Sequence, residues 1–123
     1  MENSSEFISI YTRAEAIEDG VIIDVTATAK QAGFKFPVAI TRTVFDRYVN
    51  PEPMPYMNNM QGRLWDVLNV LKYAIKGIGK SDTVHFAVAF RMQAGKRVIA
   101  LKSMVSGGDN AEPVITIMLP EED

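Results

Sequence analysis

The clearest pattern in the chain is a run of apolar residues at helical spacing that covers residues 60–78. Positions three and four apart lie on one face of a helix, and the residues that follow this spacing are Leu64, Val67, Leu68, Leu71, Ala74, Ile75 and Ile78. Gly77 and Gly79 lie at the end of the run, and glycine favours helix termination. The pattern predicts a long amphipathic helix from Met60 to Ile78 with its apolar stripe facing a core.

A second pattern, strict alternation of apolar and polar residues, follows this helix at residues 83–92. The alternating apolar residues are Val84, Phe86, Val88, Phe90 and Met92. Alternation of this kind is typical of a strand with one buried face. Further strands are predicted at residues 97–104 and 113–119. The predicted fold is therefore α+β, a single domain in which the long helix packs on a C-terminal three-stranded antiparallel meander.

The loop between the first two of these strands sets their register. A four-residue loop at 93–96 pairs Phe90 with Ile99 and Val88 with Leu101. This register places the apolar side chains of both strands on one face, where the helix stripe can cover them. An unpaired edge strand of such a meander could pair with a second copy of the chain, so a homodimer is one expected assembly.

Short elements are predicted before the long helix. Residues 1–6 are expected to be disordered, residues 7–10 and 21–23 to be strands, and a short helix to lie near residues 42–49. Residues 50–59 contain three prolines at alternate positions, and proline removes a backbone donor and fixes φ. We interpret this segment as a long irregular loop inside the domain.

Two more short helices are indicated by capping residues. Thr12 and Glu15 have the spacing of a capping box at the start of the first, in which each side chain bonds to the backbone of the other residue. The second begins after a cap at Asp24 or Thr26 and ends at Gln31. The fold is thus expected to have short N-terminal helices and strands around the main helix and meander.

Length and composition fit one folded domain. The chain has 123 residues, of which 47% are hydrophobic and 23% are charged, which suffices for a single core. It contains no cysteine, so disulfides, thiolate metal ligands and a cysteine nucleophile are excluded. The first residues are polar and acidic, and no apolar run reaches the roughly 18 residues of a membrane helix. We therefore expect a cytoplasmic protein without a signal peptide or membrane contact.

The net charge of −2 conceals a strong segregation of charge along the chain. Residues 1–24 and 103–123 each carry −5, whereas residues 63–102 carry +6. Partners respond to such local fields rather than to the total. The basic segment predicts a binding surface whose candidate residues are Trp65, Asn69, Lys72, Lys76, Arg91, Lys96 and Arg97. An aromatic ring among lysines suits nucleic acid or an acidic protein; the alternative is an ordinary solvated helix face.

Candidate catalytic groups are few. His85 is the only histidine, and on the alternating strand we expect it to be a structural or surface residue rather than a general base. No metal site and no cofactor are predicted, because a second histidine or cysteine and EF-hand spacing are lacking. The glycine-containing loop at 106–112 is interpreted as a turn. A carboxylate-based enzyme is still an alternative, and its candidate residues are Asp24, Asp46, Asp66, Asp109 and Glu112.

Four separated segments of the chain resemble those of one protein family. They cover residues 11–25, 32–42, 62–68 and 112–123. The family comprises uncharacterised small bacterial proteins, a domain of unknown function, carried on plasmids, phages and other integrating elements. The resemblance implies a mobile-element context, and it implies no activity or catalytic residue.

Three functional hypotheses follow from the sequence. The first is a non-enzymatic accessory protein of a mobile element that binds a macromolecule, with a protein as the favoured partner. The alternative is a nucleic-acid-binding protein that uses Trp65, Lys72 and Lys76 together with the bases of the hairpin. The further alternative, the carboxylate-based enzyme, requires two or more of its carboxylates to converge in one pocket.

Overall fold

The computed structural model describes residues 11–122, which form a five-stranded sheet with helices on both faces. The helices are α1 (Arg13–Glu18), α2 (Thr26–Gln31), α3 (Arg42–Val44), which continues as a π-helical turn (Phe45–Val49), and α4 (Met60–Ile78). The strands are β1 (Ile22–Asp24), β2 (Val38–Thr41), β3 (Thr83–Met92), β4 (Gly95–Gly107) and β5 (Pro113–Met118). The predicted α+β class is confirmed. The strand predicted at 7–10 and the disorder predicted at 1–6 lie outside the described residues.

The strands lie in the order β1-β2-β5-β4-β3. β3, β4 and β5 are antiparallel neighbours, as in the predicted meander. The sheet continues beyond β5, because β2 pairs with β5 in parallel and β1 pairs with β2 antiparallel. The predicted three-stranded meander is therefore matched only in part: it is present, but it is one part of a five-stranded sheet with β5 at its centre.

The strand that the sequence analysis missed is β2. Its residues Val38, Ala39 and Ile40 have no solvent exposure. Such an uninterrupted apolar run is typical of a central strand that is covered on both faces. Because the run is short and leads directly into α3, it offers no alternation that would distinguish it from the start of a helix.

The β3–β4 hairpin is tighter than predicted. Its loop holds two residues instead of four, and Met92 pairs with Gly95. Gly95 permits the short loop because its φ of +117° lies in the left-handed region that glycine adopts without strain. Val88 consequently pairs with Ile99 rather than with Leu101. A shift of two residues leaves every side chain on its predicted face.

The long helix α4 has the predicted bounds. Its first turn is capped by Asn59, whose side-chain oxygen accepts a hydrogen bond from the Gly62 N–H at 2.7 Å, and it ends at Gly79, whose φ is +84°. The buried residues of the apolar stripe, which packs mainly on β3, are Leu64, Val67, Leu68 and Leu71. Ile78, the last residue of the predicted stripe, is 51% exposed. Within residues 11–122 no helix has both the length and the apolar character that crossing a membrane requires.

The two faces of the sheet are covered unequally. The face that carries the main core is covered by α4, α2 and α3. On the opposite face α1 packs against β1, and its Arg13 side chain reaches Thr116 of β5. Over β3 and β4 this outer face is exposed, and its apolar residues there are Ala87, Ala89, Val98 and Ala100.

Replacement of Leu71 by alanine is expected to lower the free energy of unfolding by about 2 to 5 kcal/mol, because a fully buried side chain leaves a cavity. The matched control is Ile78→Ala on the same stripe, which should cost less than about 1 kcal/mol because that side chain is half in solvent. Urea unfolding measures both values. Equal losses for the two variants would contradict the observed packing of α4.

Candidate functional site

The predicted binding residues of α4 share one side of the helix but differ in their contacts and exposure. Trp65 is 38% exposed. Lys72 turns towards α2, where its Nζ donates a hydrogen bond to the Ala32 carbonyl oxygen at 2.9 Å. A cation at this position also interacts favourably with the C-terminal end of α2. Lys72 is therefore engaged in holding α4 to α2.

The remaining polar residues of this helix face are Asn69 and Lys76. The Asn69 side chain donates back to the Trp65 carbonyl oxygen at 3.0 Å. The Lys76 ammonium lies 5.8 Å from the centre of the Tyr73 ring and is exposed. Of the two predicted helix lysines, Lys76 is thus the one whose charge faces solvent.

The three hairpin bases lie on two faces of the β3–β4 ribbon. Arg91 and Lys96 are directly paired and exposed on the outer face. Arg97 pairs with Phe90, whose side chain belongs to the core. Directly paired residues share a face, so Arg97 projects from the core face of the ribbon, opposite to Arg91 and Lys96. The predicted seven residues therefore fall into three groups: the α4 face, the outer-face pair, and Arg97.

Arg97 lines a groove of about 490 Å³ between the proline-containing loop at 50–59 and the tip of the hairpin. We call it the proline groove. The residues that give it apolar walls are Tyr48, Pro51, Pro53, Pro55 and Met92. Its rim carries charges of both signs, on Asp46, Arg47, Glu52 and Arg97. None of the described residues that line it is a histidine, serine or cysteine.

A buried arginine holds together the elements that form the proline groove. Arg63 is only 3% exposed. Its Nε donates to the Tyr48 carbonyl oxygen at 2.6 Å, and its Nη1 donates to Asn58 Oδ1 and to the Arg91 carbonyl oxygen, both at 2.9 Å. Its guanidinium carbon lies 5.0 Å from the centre of the Phe90 ring. One side chain thus joins α4 to the π-helical turn, the proline-containing loop and β3.

The charge of Arg63 is balanced without an ion pair. Burial lowers the pKa of its guanidinium, and the nearby Asp66 carboxylate opposes that shift. Arginine nevertheless stays protonated at neutral pH, because its ordinary pKa lies far above neutrality. Within residues 11–122 no carboxylate oxygen lies at ion-pair distance from it. Neutral oxygens and an aromatic face must therefore offset the cost of its desolvation.

Three of the five candidate carboxylates converge, as the enzyme alternative requires. Asp24, Asp109 and Glu112 line a pocket of about 190 Å³ at the N-terminal end of α1. Asp46 and Asp66 lie elsewhere, in the proline groove and near the start of α4. No group of three histidine or acidic residues in the described range has an arrangement that could hold a metal ion.

The carboxylates of this pocket are occupied by local hydrogen bonds. The two oxygens of Asp109 accept from the backbone N–H groups of Arg13 and Ala14 at 2.7 and 3.1 Å. Oδ1 of Asp24 accepts from the backbone N–H and the hydroxyl of Thr26 at 3.0 and 2.6 Å. Asp109 therefore bonds to the first two N–H groups of α1, whose N-cap is Thr12, and Asp24 bonds to the first N–H group of α2.

Arg13 lies at the centre of the same pocket. Its guanidinium donates to the Thr116 hydroxyl and to the Ile115 carbonyl oxygen, both at 3.0 Å. Burial lowers its pKa, and the three surrounding carboxylates oppose that shift. Because each group bonds to the backbone or to its neighbour, the pocket attaches α1 to the sheet.

The remaining sequence candidates have simple surroundings. His85 is exposed on the outer face opposite Lys102. The loop at 106–112 contains a turn in which the Ala111 N–H donates to the Gly108 carbonyl oxygen at 3.0 Å. It therefore serves to place Asp109 beside α1.

A family model for a domain of unknown function matches residues 1–123. The chain belongs to DUF6573. The predicted resemblance to a domain of unknown function is thereby confirmed over the whole chain, whereas the plasmid and phage context is still a prediction. No significant match to the chain was found among curated proteins or solved structures.

In this DUF6573 chain Arg63 was not among the predicted site residues, because arginines in helices are normally exposed. A signal was present in its spacing: Val67, Val70 and Ala74 follow it by four, seven and eleven positions. These positions share one helix flank, so the arginine occupied a flank that is otherwise apolar. Tyr48 had no comparable signal, because only the folded chain brings it to the hairpin.

Arg63→Lys is expected to lower the free energy of unfolding by about 2 to 4 kcal/mol. Lysine keeps the charge but lacks the planar fork that reaches three oxygens at once. The matched control, Arg91→Lys, should change stability by less than about 0.5 kcal/mol because that side chain is exposed. Urea unfolding of both variants provides the comparison, and an unchanged Arg63→Lys variant would contradict the supporting role.

Asp109→Ala is expected to lower the free energy of unfolding by about 1 to 2 kcal/mol, because the N–H groups of Arg13 and Ala14 lose their acceptor. Asn110→Ala, at the next exposed position of the same loop, is the control and should be nearly neutral. Asp109→Asn should recover only part of the loss, because its single amide oxygen can accept from one of the two N–H groups that the Asp109 carboxylate bonds. Thermal unfolding measures the stability of all three variants. A neutral Asp109→Ala variant would show that the two hydrogen bonds of Asp109 do not stabilise the attachment of α1.

Proposed function

We propose that this protein is a non-enzymatic accessory protein that binds a protein partner through the proline groove. The observation that carries the proposal is the groove's combination of an apolar interior with rim charges of both signs. Service to a mobile element is part of the proposal, and it is supported by the resemblance of four sequence segments alone.

The rim charges favour a protein over a nucleic acid. Asp46 and Glu52 stand beside Arg47 and Arg97 on the rim, and the two carboxylates would repel a phosphate backbone. A protein segment can present charges of both signs around an apolar anchor, which suits this rim. The partner is therefore a segment with a large apolar side chain flanked by charged residues.

The apolar walls offer a suitable seat for that anchor. The Tyr48 ring stacks on Phe90 with ring centres 5.5 Å apart and planes at 21°. Met92, on the hairpin side of the groove, has a flexible side chain that adapts to different shapes. Tyrosine and methionine are enriched at protein interfaces for these reasons.

The proline groove is also well ordered before binding. Its three prolines have fixed φ angles, and the loop that carries them is tied to Arg63 through Asn58. Pro55 is buried. A wall held in this way loses little conformational freedom when a partner binds, and this favours affinity.

Nucleic-acid binding is the second candidate function. It is favoured by the 38% exposure of Trp65 and by the exposed Lys76 on the same side of α4. It is weakened by Lys72, whose ammonium group is already bonded to Ala32. This function would use a different surface from the proline groove, so the two candidates can be separated by substitution.

Arg97→Glu should weaken binding of the protein partner by about tenfold or more, since it reverses one charge at the groove rim. Lys76→Glu carries the same charge change on α4 and should leave that binding unchanged. A photocrosslinker at Gln93, inside the groove, identifies the partner in a host extract, and titration with the purified partner then gives both affinities.

The reverse result would favour the second candidate. In that case Lys76→Glu would weaken a salt-sensitive association with nucleic acid, and Arg97→Glu would not. A partner that binds both variants as tightly as the unaltered protein would refute the proposed use of the proline groove.

A further inference from the structure

Among residues 11–122, no strand lies beside the edge of β3 that faces away from β4, so the backbone groups along this edge have no strand partner there. The pairing of β3 with β4 begins where the Asp82 carbonyl oxygen accepts from the Val105 N–H at 2.8 Å. In an antiparallel ladder the groups of alternate residues point to opposite sides. The outward-pointing residues of β3 are therefore Thr83, His85, Ala87, Ala89 and Arg91. Among the described strands, β3 is an edge and pairs with β4 alone.

Side chains already occupy both ends of this edge. The Ser81 hydroxyl donates to the Thr83 carbonyl oxygen at 2.8 Å and accepts from the Thr83 N–H at 3.3 Å. At the other end, Arg63 donates to the Arg91 carbonyl oxygen. The unpaired stretch between these contacts consists of His85, Ala87 and Ala89.

We propose that this stretch pairs with the same stretch of a second copy, in an antiparallel dimer with a twofold axis at Ala87. Ala87 then lies opposite Ala87 of the second copy, and His85 lies opposite Ala89. Each opposed pair exchanges two backbone hydrogen bonds. All the outward N–H and C=O groups of the three residues are satisfied in this register.

The positions of the occupied ends favour a second copy over a foreign strand. Thr83 and Arg91 each lie four positions from Ala87. In the symmetric dimer they come to lie opposite each other, so pairing ends where the edge is already bonded. Charge does not oppose this register, because the small Ala89 faces His85 and the arginines lie away from the axis.

The surfaces on both sides of the edge are compatible with such a dimer. Val70, Ala74 and Gly77 continue the α4 flank of Arg63, which overlooks the edge, and these small residues permit close approach of another helix. On the outer face, Val98 is 72% exposed beside Ala89, its directly paired neighbour. A dimer would cover part of this apolar surface.

The stretch between the occupied ends lacks the residue types that normally prevent pairing. Thr83–Met92 contains no proline or glycine, and its outward residues between the occupied ends include no lysine, aspartate or glutamate. Natural edge strands commonly carry such residues to block association. We therefore expect the stretch of His85, Ala87 and Ala89 to pair with another strand.

Sedimentation velocity over a concentration series tests the proposal with two matched variants. The unaltered protein should form a reversible dimer. Ala87→Lys, which puts two ammonium groups beside the axis, should raise the dissociation constant by about tenfold or more. Ala100→Lys is the control: it is exposed on the same face, opposite Ala87 on β4, and should leave the constant unchanged. Thermal unfolding establishes that both variants fold.

Amide hydrogen exchange of the full chain supplies a second measurement. The amides of His85, Ala87 and Ala89 should become protected as concentration rises. A monomer at about 1 mM, the level of a very weak association, would overturn the proposal, as would equal weakening by both variants. Protection that is independent of concentration in a monomer would assign the edge to a segment of the same chain and would also overturn it.

Discussion

Arg63 places a full positive charge at the point where α4, the π-helical turn, the proline-containing loop and β3 meet. Three oxygens, on Tyr48, Asn58 and Arg91, share its N–H groups. Because no carboxylate in the described range neutralises it, the loss of any one acceptor would leave a desolvated charge with fewer partners. This requirement fixes the loop and the turn more firmly than their own irregular backbone could, since residues 50–59 form neither helix nor strand.

The same constraint connects the two proposed surfaces. Arg63 supports the proline groove through Tyr48 and Asn58, and it closes one end of the β3 edge through Arg91. The groove lies on the helix side of the hairpin tip, whereas the edge lies along β3, so a dimer and a bound partner would not compete for the same residues. Arg63 thus supports the proline groove and also marks one end of the β3 stretch that is proposed to pair.

The elements that the sequence predicted are those whose signals are local. The bounds of α4 follow from the stripe and from Gly79, and β3 follows from strict alternation. β2 and its parallel pairing with β5 were missed because that contact joins residues far apart in the chain, and no short pattern encodes it. The predicted length of the hairpin loop was two residues too long, because Gly95 adopts a left-handed conformation that the pattern of apolar positions does not reveal.

The candidate site shows the same division between local signals and contacts that arise only in the folded chain. Arg97 was among the predicted binding residues, but the groove around it depends on Tyr48 and the prolines, which reach the hairpin only in the folded chain. The acidic ends of the sequence are likewise used structurally: Asp109 lies 96 positions from Arg13, whose N–H it caps. β5 brings them together by entering the sheet between β4 and β2. This contact joins the two acidic ends to each other, no base of residues 63–102 forms an ion pair within the described range, and exposed bases such as Lys76 and Arg97 lie on separate surfaces.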